Sequence, residues 1–189
     1  MCDSKKISAE ISDWFSFTSV AQIGKKGFGP VPAEPGVYVL RVAAIGAVDP
    51  TLIKETYLKS DFMQVRTKLD KESEAFFKNL GLGEGWGTRI ESYSRQRLER
   101  LTRLELNNGV LGCPVIYIGK ANSLRRRMEE LACAGHTAND PVWALLLSNW
   151  QLEIGIRTVS RGLEKSEEER LKDIYRTYHG GRLPALVDR

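Results

Sequence analysis

Three stretches of the chain have the hydrophobic pattern of β-strands. Residues 37–42 and 115–118 are runs of β-branched and aromatic side chains, and in residues 152–159 apolar positions alternate with polar ones such as Glu153 and Arg157. The two runs fit buried strands, whereas the alternation fits a strand with one face in water. The pattern therefore predicts a sheet of three strands.

Other apolar positions recur at helical spacing. Ile7, Ile11, Trp14 and Phe15 fall at i, i+4, i+7 and i+8, which predicts a short helix near the start of the chain. The stretch 24–36 that follows is rich in glycine and proline and predicts a loop.

Three further helices are predicted in the second half of the chain, over residues 124–131, 141–150 and about 166–178. Ser123 is a suitable N-cap for the first of them. Ser166 and Glu169 have the spacing of a capping box for the last, which is expected to end at Gly180 or Gly181.

The region between the first two predicted strands has a different character. Charged and apolar residues alternate over 51–80 in a way that suggests two helices, a glycine-rich break follows, and 90–106 is strongly helical. The last helix carries the arginines Arg95, Arg97, Arg100 and Arg103. These side chains either contact a phosphate backbone or pair with the acidic residues Glu91, Glu99 and Glu105 on a solvated face.

Composition sets broad limits on function. The 189 residues suffice for one domain, and a net charge of +4 with a pI near 9.0 leans only mildly toward polyanionic partners. The three cysteines have no paired spacing and only two histidines accompany them, so no zinc-binding set is recognisable. The first residues have no uninterrupted apolar core, which favours a cytoplasmic protein without a membrane span.

A basic cluster follows the second strand. Lys120, Arg125, Arg126 and Arg127 come just past the strand end at Gly119, where guanidinium groups and an ammonium suit a phosphate.

These residues carry a resemblance to a known family. Gly36 to Tyr38 reads GVY and Tyr117 to Gly119 reads YIG, Lys120 follows directly, and Arg127 comes ten residues after the tyrosine (127 − 117 = 10). Together they resemble the signatures of the GIY-YIG endonuclease domain. The resemblance covers roughly residues 35–43 and residue 113 to the C-terminus.

The resemblance implies an α+β fold with a small central three-stranded antiparallel sheet flanked by helices. Residues 1–189 would form a single domain, with an N-terminal extension over about 1–34 and a helical insertion over about 47–110. The insertion accounts for the separation of the two signature tyrosines (117 − 38 = 79), and restriction-type members are similar in carrying one.

The resemblance also implies a chemistry. Tyr117 or Tyr38 would take the proton from an attacking water, with Lys120 and Arg127 lowering the pKa of the phenol, which is about 10 when unperturbed. Arg127 would also hold the scissile phosphate. One Mg²⁺ (or Mn²⁺), bound to a single glutamate and mostly to water, would stabilise the leaving oxygen.

The identity of that glutamate is open. Glu168 has apolar residues at the family's offsets and is the first choice, Glu167 is the rival, and Glu169 is adjacent. Acidic residues also accumulate at helix N-termini because they complement the helix dipole.

Two positions depart from the family pattern. Leu131 stands where a histidine or tyrosine is usual, so His136 in the following loop is a candidate substitute. Val187 stands where an asparagine is expected, which questions a supporting contact.

The expected function is a metal-dependent endonuclease acting on double-stranded DNA, with a restriction-type role as the sharpest version. A palindromic target would require a homodimer. The alternatives are a weak or inactive module that keeps the fold and binds nucleic acid and, less favoured, a protein-interaction domain.

Overall fold

The computed structural model describes residues 4–17, 30–64, 93–132 and 136–187. Its centre is a four-stranded antiparallel sheet in the order β1-β6-β2-β5. The strands are β1 (Asp13–Ser16), β2 (Gly36–Ala44), β5 (Val115–Ala121) and β6 (Gln151–Thr158). The α+β class predicted from the sequence is confirmed, and the prediction of three strands is wrong by one.

The additional strand comes from the predicted N-terminal helix. The helix α1 (Ser4–Ala9) ends before Trp14 and Phe15, which belong to β1 and pair with Gly155 and Ile154 of β6. A Cβ on Gly155 would lie 2.9 Å from the Trp14 ring, so the glycine lets the indole pack closely. Pairing with the open edge of β6 thus outweighs the helical spacing of these side chains.

Helices cover both faces of the sheet. They are α2 (Pro50–Leu58), a 3₁₀-helix (Leu98–Arg103), α3 (Leu124–Ala132), α4 (Asn139–Leu147) and α5 (Glu164–Tyr178). A hairpin of two short strands, β3 (Leu106–Asn107) and β4 (Val110–Leu111), follows the 3₁₀-helix. Its turn consists of Asn108 and Gly109, both of which have positive φ.

The alternation of β2 divides the core between the two faces. Tyr38 and Leu40 pack in the larger cluster with side chains from α2, α3 and α4. Val37 and Val39 face the other way, against Ile7, Leu171 and other residues of α1 and α5. Each face of β2 is therefore buried.

The edge strand β5 is partly covered by the C-terminal segment. The Leu186 N–H donates to the Ile116 carbonyl at 2.9 Å, and both Leu186 and Val187 are buried. Covering a free strand edge in this way reduces its tendency to pair with another chain.

Local predictions for helix ends have mixed outcomes. Ser123 caps α3, since its Oγ accepts from the Arg126 N–H at 3.4 Å. The capping box is wrong, because α5 begins at Glu164, the Ser166 hydroxyl donates to the Leu163 carbonyl, and Glu169 pairs with Lys172.

Only part of the predicted helix 90–106 is α-helical. Residues 93–97 are α-helical, residues 98–103 form the 3₁₀-helix, and Leu106 belongs to β3. The two glutamates of this segment that the structure describes pair elsewhere, Glu99 with Lys54 and Glu105 with Arg182. Glu91 and residues 65–80 of the two helices predicted over 51–80 lie outside the described residues.

Candidate active site

The two signature tyrosines form a stacked pair over a glycine. In the β2–β5 register Tyr38 lies opposite Gly119, and Leu40 opposite Tyr117. The tyrosine rings stack with centroids 5.7 Å apart and planes 21° apart. A Cβ on Gly119 would come within 2.6 Å of the Tyr38 ring and 2.7 Å of the Tyr117 ring. The glycine of YIG therefore provides the space in which the rings meet.

His136 completes this aromatic cluster. Its side chain is buried, its Nε2 lies 2.8 Å from the Tyr38 hydroxyl, and its ring meets both tyrosine rings edge-on. The Ala138 N–H donates to Nδ1 at 2.9 Å. Because Nδ1 accepts, the neutral ring carries its proton on Nε2 and donates it to the Tyr38 oxygen. The loop histidine is thus a positioned part of the cluster.

The surroundings keep His136 neutral. Burial lowers its pKa to about 3, helped by the positive charges of Arg127 and Arg97. A neutral imidazole at physiological pH orients the Tyr38 hydroxyl.

Tyr38 holds its proton. Burial raises the pKa of Tyr38 well above its ordinary value, and the neighbouring Tyr117 and the charge of Glu168 raise it further. The positive charge of Arg127 offsets only part of this. Arg127 thus lowers the pKa of Tyr38 in the expected direction, but the effect of burial is larger. The Tyr38 oxygen accepts from His136, and the neighbouring Tyr117 is half-buried and reaches solvent.

Arg127 is the arginine of α3 that faces this cluster. Its charge acts on both Tyr38 and His136, and its guanidinium pairs with Glu130 at 2.7 Å. The adjacent Arg126 is 79% exposed against 34% for Arg127. Helical geometry thus separates two neighbours in sequence, one toward the tyrosines and one toward water.

Lys120 lies on the other side of the sheet. It is exposed, it pairs in register with Val37, and its positive charge contributes, after the Gly162 N–H, to lowering the pKa of Glu164 at the start of α5. The structure places it beside α5, and Tyr38 and Tyr117 lie on the opposite face of β2 and β5.

The three adjacent glutamates of α5 have different neighbours. Glu167 is engaged by Arg157 and Arg170. Glu169 is 44% exposed and pairs with Lys172. Glu168 is 15% exposed, and its charge is near enough to raise the pKa of Tyr38. Among the three, Glu168 is the one whose charge acts on Tyr38.

The donor set limits the kind of metal that this site could hold. Across residues 4–17, 30–64, 93–132 and 136–187, no group of three or more His, Cys, Asp or Glu side chains is arranged around one point. A single carboxylate suits Mg²⁺, which retains most of its water when protein-bound. Glu168 fits this role, and its present partner is the ammonium of Lys172 at 3.0 Å.

Two contributors to the site are not among the residues predicted from the sequence. Lys172 is buried and lies 3.0 Å from both Glu168 and Glu169. Its position four residues after Glu168 on one helix is the signal that could have found it. Arg97 belongs to the arginine series of the insertion, but only the fold brings it near His136.

Comparisons of the chain with protein-family models, with curated proteins and with solved structures gave no match. Among the described residues, no helix has the length and apolar character needed to cross a membrane.

Proposed function

We propose that the protein is a Mg²⁺-dependent (or Mn²⁺-dependent) endonuclease that hydrolyses phosphodiester bonds of double-stranded DNA. The observation that carries the proposal is the convergence of Tyr38, Tyr117 and His136 over Gly119, with Arg127 and Glu168 alongside. These are residues that the GIY-YIG resemblance singles out, and they come from four separate elements and one loop.

The hydrogen-bond order assigns the two tyrosines different roles. Tyr38 is buried and accepts from His136, so it keeps its own proton, and its ring stacks on that of Tyr117. Tyr117 lies at the solvent side, and the ionised form of its side chain would receive the proton of the attacking water. The water oxygen then bonds to phosphorus as the bond from phosphorus to the leaving sugar oxygen breaks.

Positive charge supports that displacement. Arg127 is the guanidinium that faces the tyrosines, and it would bind the non-bridging phosphate oxygens in a bidentate manner. A divalent cation held by Glu168 would supply stabilisation of the departing oxyanion. Lys172 must release part of its contact with Glu168 when such a cation binds.

The first test is incubation of the purified protein with supercoiled plasmid, in Mg²⁺ and in EDTA. Metal-dependent linear fragments of discrete size support a sequence-specific, restriction-type enzyme. Nicking without fixed fragments supports an endonuclease that recognises a DNA structure. Absence of cleavage at every metal tested rejects the catalytic proposal.

Matched variants test the site itself. Arg127→Ala and Glu168→Ala are expected to reduce the cleavage rate by about 10²–10³-fold, because each removes a charge from the transition-state environment. The control Arg126→Ala removes a charge that shares the partner Glu130 with Arg127. The control Glu169→Ala removes a charge that shares the partner Lys172 with Glu168. Both control proteins should cut DNA at close to the wild-type rate. Equal rates for Arg127→Ala and Arg126→Ala would refute the assignment.

A second function, nucleic-acid binding without cleavage, is favoured by one contact. Lys172 already neutralises Glu168 from a buried position, so the carboxylate has a cation without any metal. Salt-sensitive retardation of the plasmid without cleavage would support this alternative.

A further inference from the structure

The ammonium group of Lys172 contacts two carboxylates of α5. Its Nζ lies 3.0 Å from an oxygen of Glu168 and 3.0 Å from an oxygen of Glu169. The side chain of Lys172 is only 6% exposed. Burial by itself opposes the charged form of a lysine, but the two carboxylates more than offset this and raise the pKa of Lys172. The lysine is therefore a lasting positive charge beside Glu168.

These contacts follow from the spacing of the three residues on one helix. Lys172 comes four residues after Glu168 and three after Glu169, and both separations bring side chains together on an α-helix. An acid placed on the N-terminal side of its base, as here, is the more favourable order. The helix itself thus brings the ammonium to Glu168, without any bound ligand.

The charges that surround Glu168 on α5 leave one negative charge in excess. Arg176 pairs with Glu169 at 3.7 Å and with Asp173 at 2.6 Å. In this group of five side chains, the three carboxylates of Glu168, Glu169 and Asp173 share the two cations of Lys172 and Arg176. Without Lys172 the group would carry two negative charges in excess, which is the charge that one divalent cation neutralises.

Lys172 would oppose a divalent cation at Glu168. The Glu168 side chain is 15% exposed, so water screens the charges beside it only in part. Two positive charges at one such carboxylate repel each other over a short distance. Binding of the metal is therefore expected to be weaker than the carboxylate alone would permit.

We propose that Lys172 is an internal counter-ion that competes with the divalent cation for Glu168 and so sets the metal concentration that the site requires. In the metal-free protein the ammonium pairs with a carboxylate that would otherwise be a largely buried, unpaired charge. The inference rests on the proposed function, because it takes Glu168 as the ligand of the metal.

The test is the affinity of the purified protein for Mn²⁺, measured without DNA from the electron paramagnetic resonance signal of the free ion. Lys172→Met removes the charge and keeps a long side chain. This variant should bind Mn²⁺ about 10-fold to 100-fold more tightly than the wild type, because no charge-assisted hydrogen bond to Glu168 has to be given up. Adding Glu168→Gln to Lys172→Met should abolish the increase.

Lys165→Met is the matched control, since it removes the charge of an exposed lysine from the same helix and should bind Mn²⁺ as the wild type does. Thermal unfolding gives a second measurement. Mn²⁺ should raise the Tm of Lys172→Met more than that of the wild type, because a ligand that binds the folded state stabilises it. If Lys172→Met does not fold, Lys172→Gln, which keeps an N–H donor without the charge, should show the same tighter binding.

The outcomes separate the two proposals. A folded, uncharged variant that binds Mn²⁺ no more tightly than the wild type overturns the competition, as does an increase that survives Glu168→Gln. If the wild type nevertheless cuts DNA, the nuclease stands and the counter-ion alone fails. Tighter binding by the variant together with a wild type that does not cut supports the counter-ion and rejects catalysis. Failure of both the wild type and the variant to bind Mn²⁺ overturns the inference.

Discussion

Gly119 shows how one residue can set the geometry of a site. A glycine within a strand ordinarily weakens it, because it loses more backbone entropy and contributes no packing. Here any side chain would enter the space of the Tyr38 and Tyr117 rings. The stacked pair exists because β5 lacks a Cβ where β2 presents a tyrosine.

Gly119→Ala is therefore expected to separate the tyrosine rings. The overpacked Cβ should lower the free energy of unfolding by about 1–3 kcal/mol and alter the near-UV circular dichroism of the tyrosines. Cleavage should fall with it. Gly112→Ala is the control, since its Cβ would meet the Glu105 carbonyl only at 3.6 Å, an ordinary contact. Identical spectra for the two variants would show that the pair does not depend on the glycine.

At the scale of elements, α5 is held to α1 and β6 by ion pairs. Arg157 of β6 and Arg170 of α5 both bind Glu10, which follows α1, and Glu167 of α5. This four-residue network joins α1, β6 and α5. It engages Glu167 with arginines, whereas the neighbouring Glu168 pairs with Lys172.

Glu10→Gln tests the network. We expect the free energy of unfolding to fall by about 1 kcal/mol, since these partly exposed charges are screened by solvent but act together. Hydrogen bonds from Arg170 lower the pKa of both Glu10 and Glu167. Their contribution is thus present above the ordinary carboxylate pKa and is lost as pH falls through the lowered folded values.

Urea unfolding at pH 7 gives the comparison. Glu55→Gln is the control, because its pair with Lys59 is solvent-exposed at 4.0 Å and should contribute nothing measurable. A Glu10→Gln midpoint equal to that of the control would show that the network does not stabilise the fold.

For the whole molecule, burial of His136 links the site to stability against acid. Its folded pKa of about 3 lies below the ordinary 6.5, so between these values the unfolded chain binds a proton that the native protein does not. Stability therefore rises with pH across this window. His136 alone is expected to lower the free energy of unfolding by about 2 kcal/mol when the pH falls from 7 to 5.

His136→Gln should remove that cost. Its free energy of unfolding is expected to decline about 2 kcal/mol less than that of the wild type between pH 7 and pH 5, since all other titrating groups are shared. Denaturant unfolding at the two pH values measures the difference, and calorimetric proton uptake on unfolding the wild type gives an independent value. Parallel losses in the two proteins, or no proton uptake, would contradict a buried neutral histidine.

The sequence by itself determined the local features of this protein. The strands β2, β5 and β6 and the helix after Ser123 follow from periodicity and capping, which depend on residues close together in the chain. The α+β class was what the resemblance of the signature motifs implied. The signature tripeptides likewise single out the two tyrosines, because each tripeptide consists of consecutive residues. Whether those tyrosines act as proposed is a matter for the cleavage experiments.

The tertiary structure alone decided the rest. Trp14 and Phe15 joined the sheet because β6 offered them an unpaired edge, which no local pattern shows. Glu168 was distinguished from Glu167 by the arginines that surround α5. His136 became a buried, neutral donor because its ring packs against tyrosines of two strands, near the charges of Arg127 and Arg97. Burial and electrostatic environment depend on residues far apart in sequence, so they are determined only when the chain is folded.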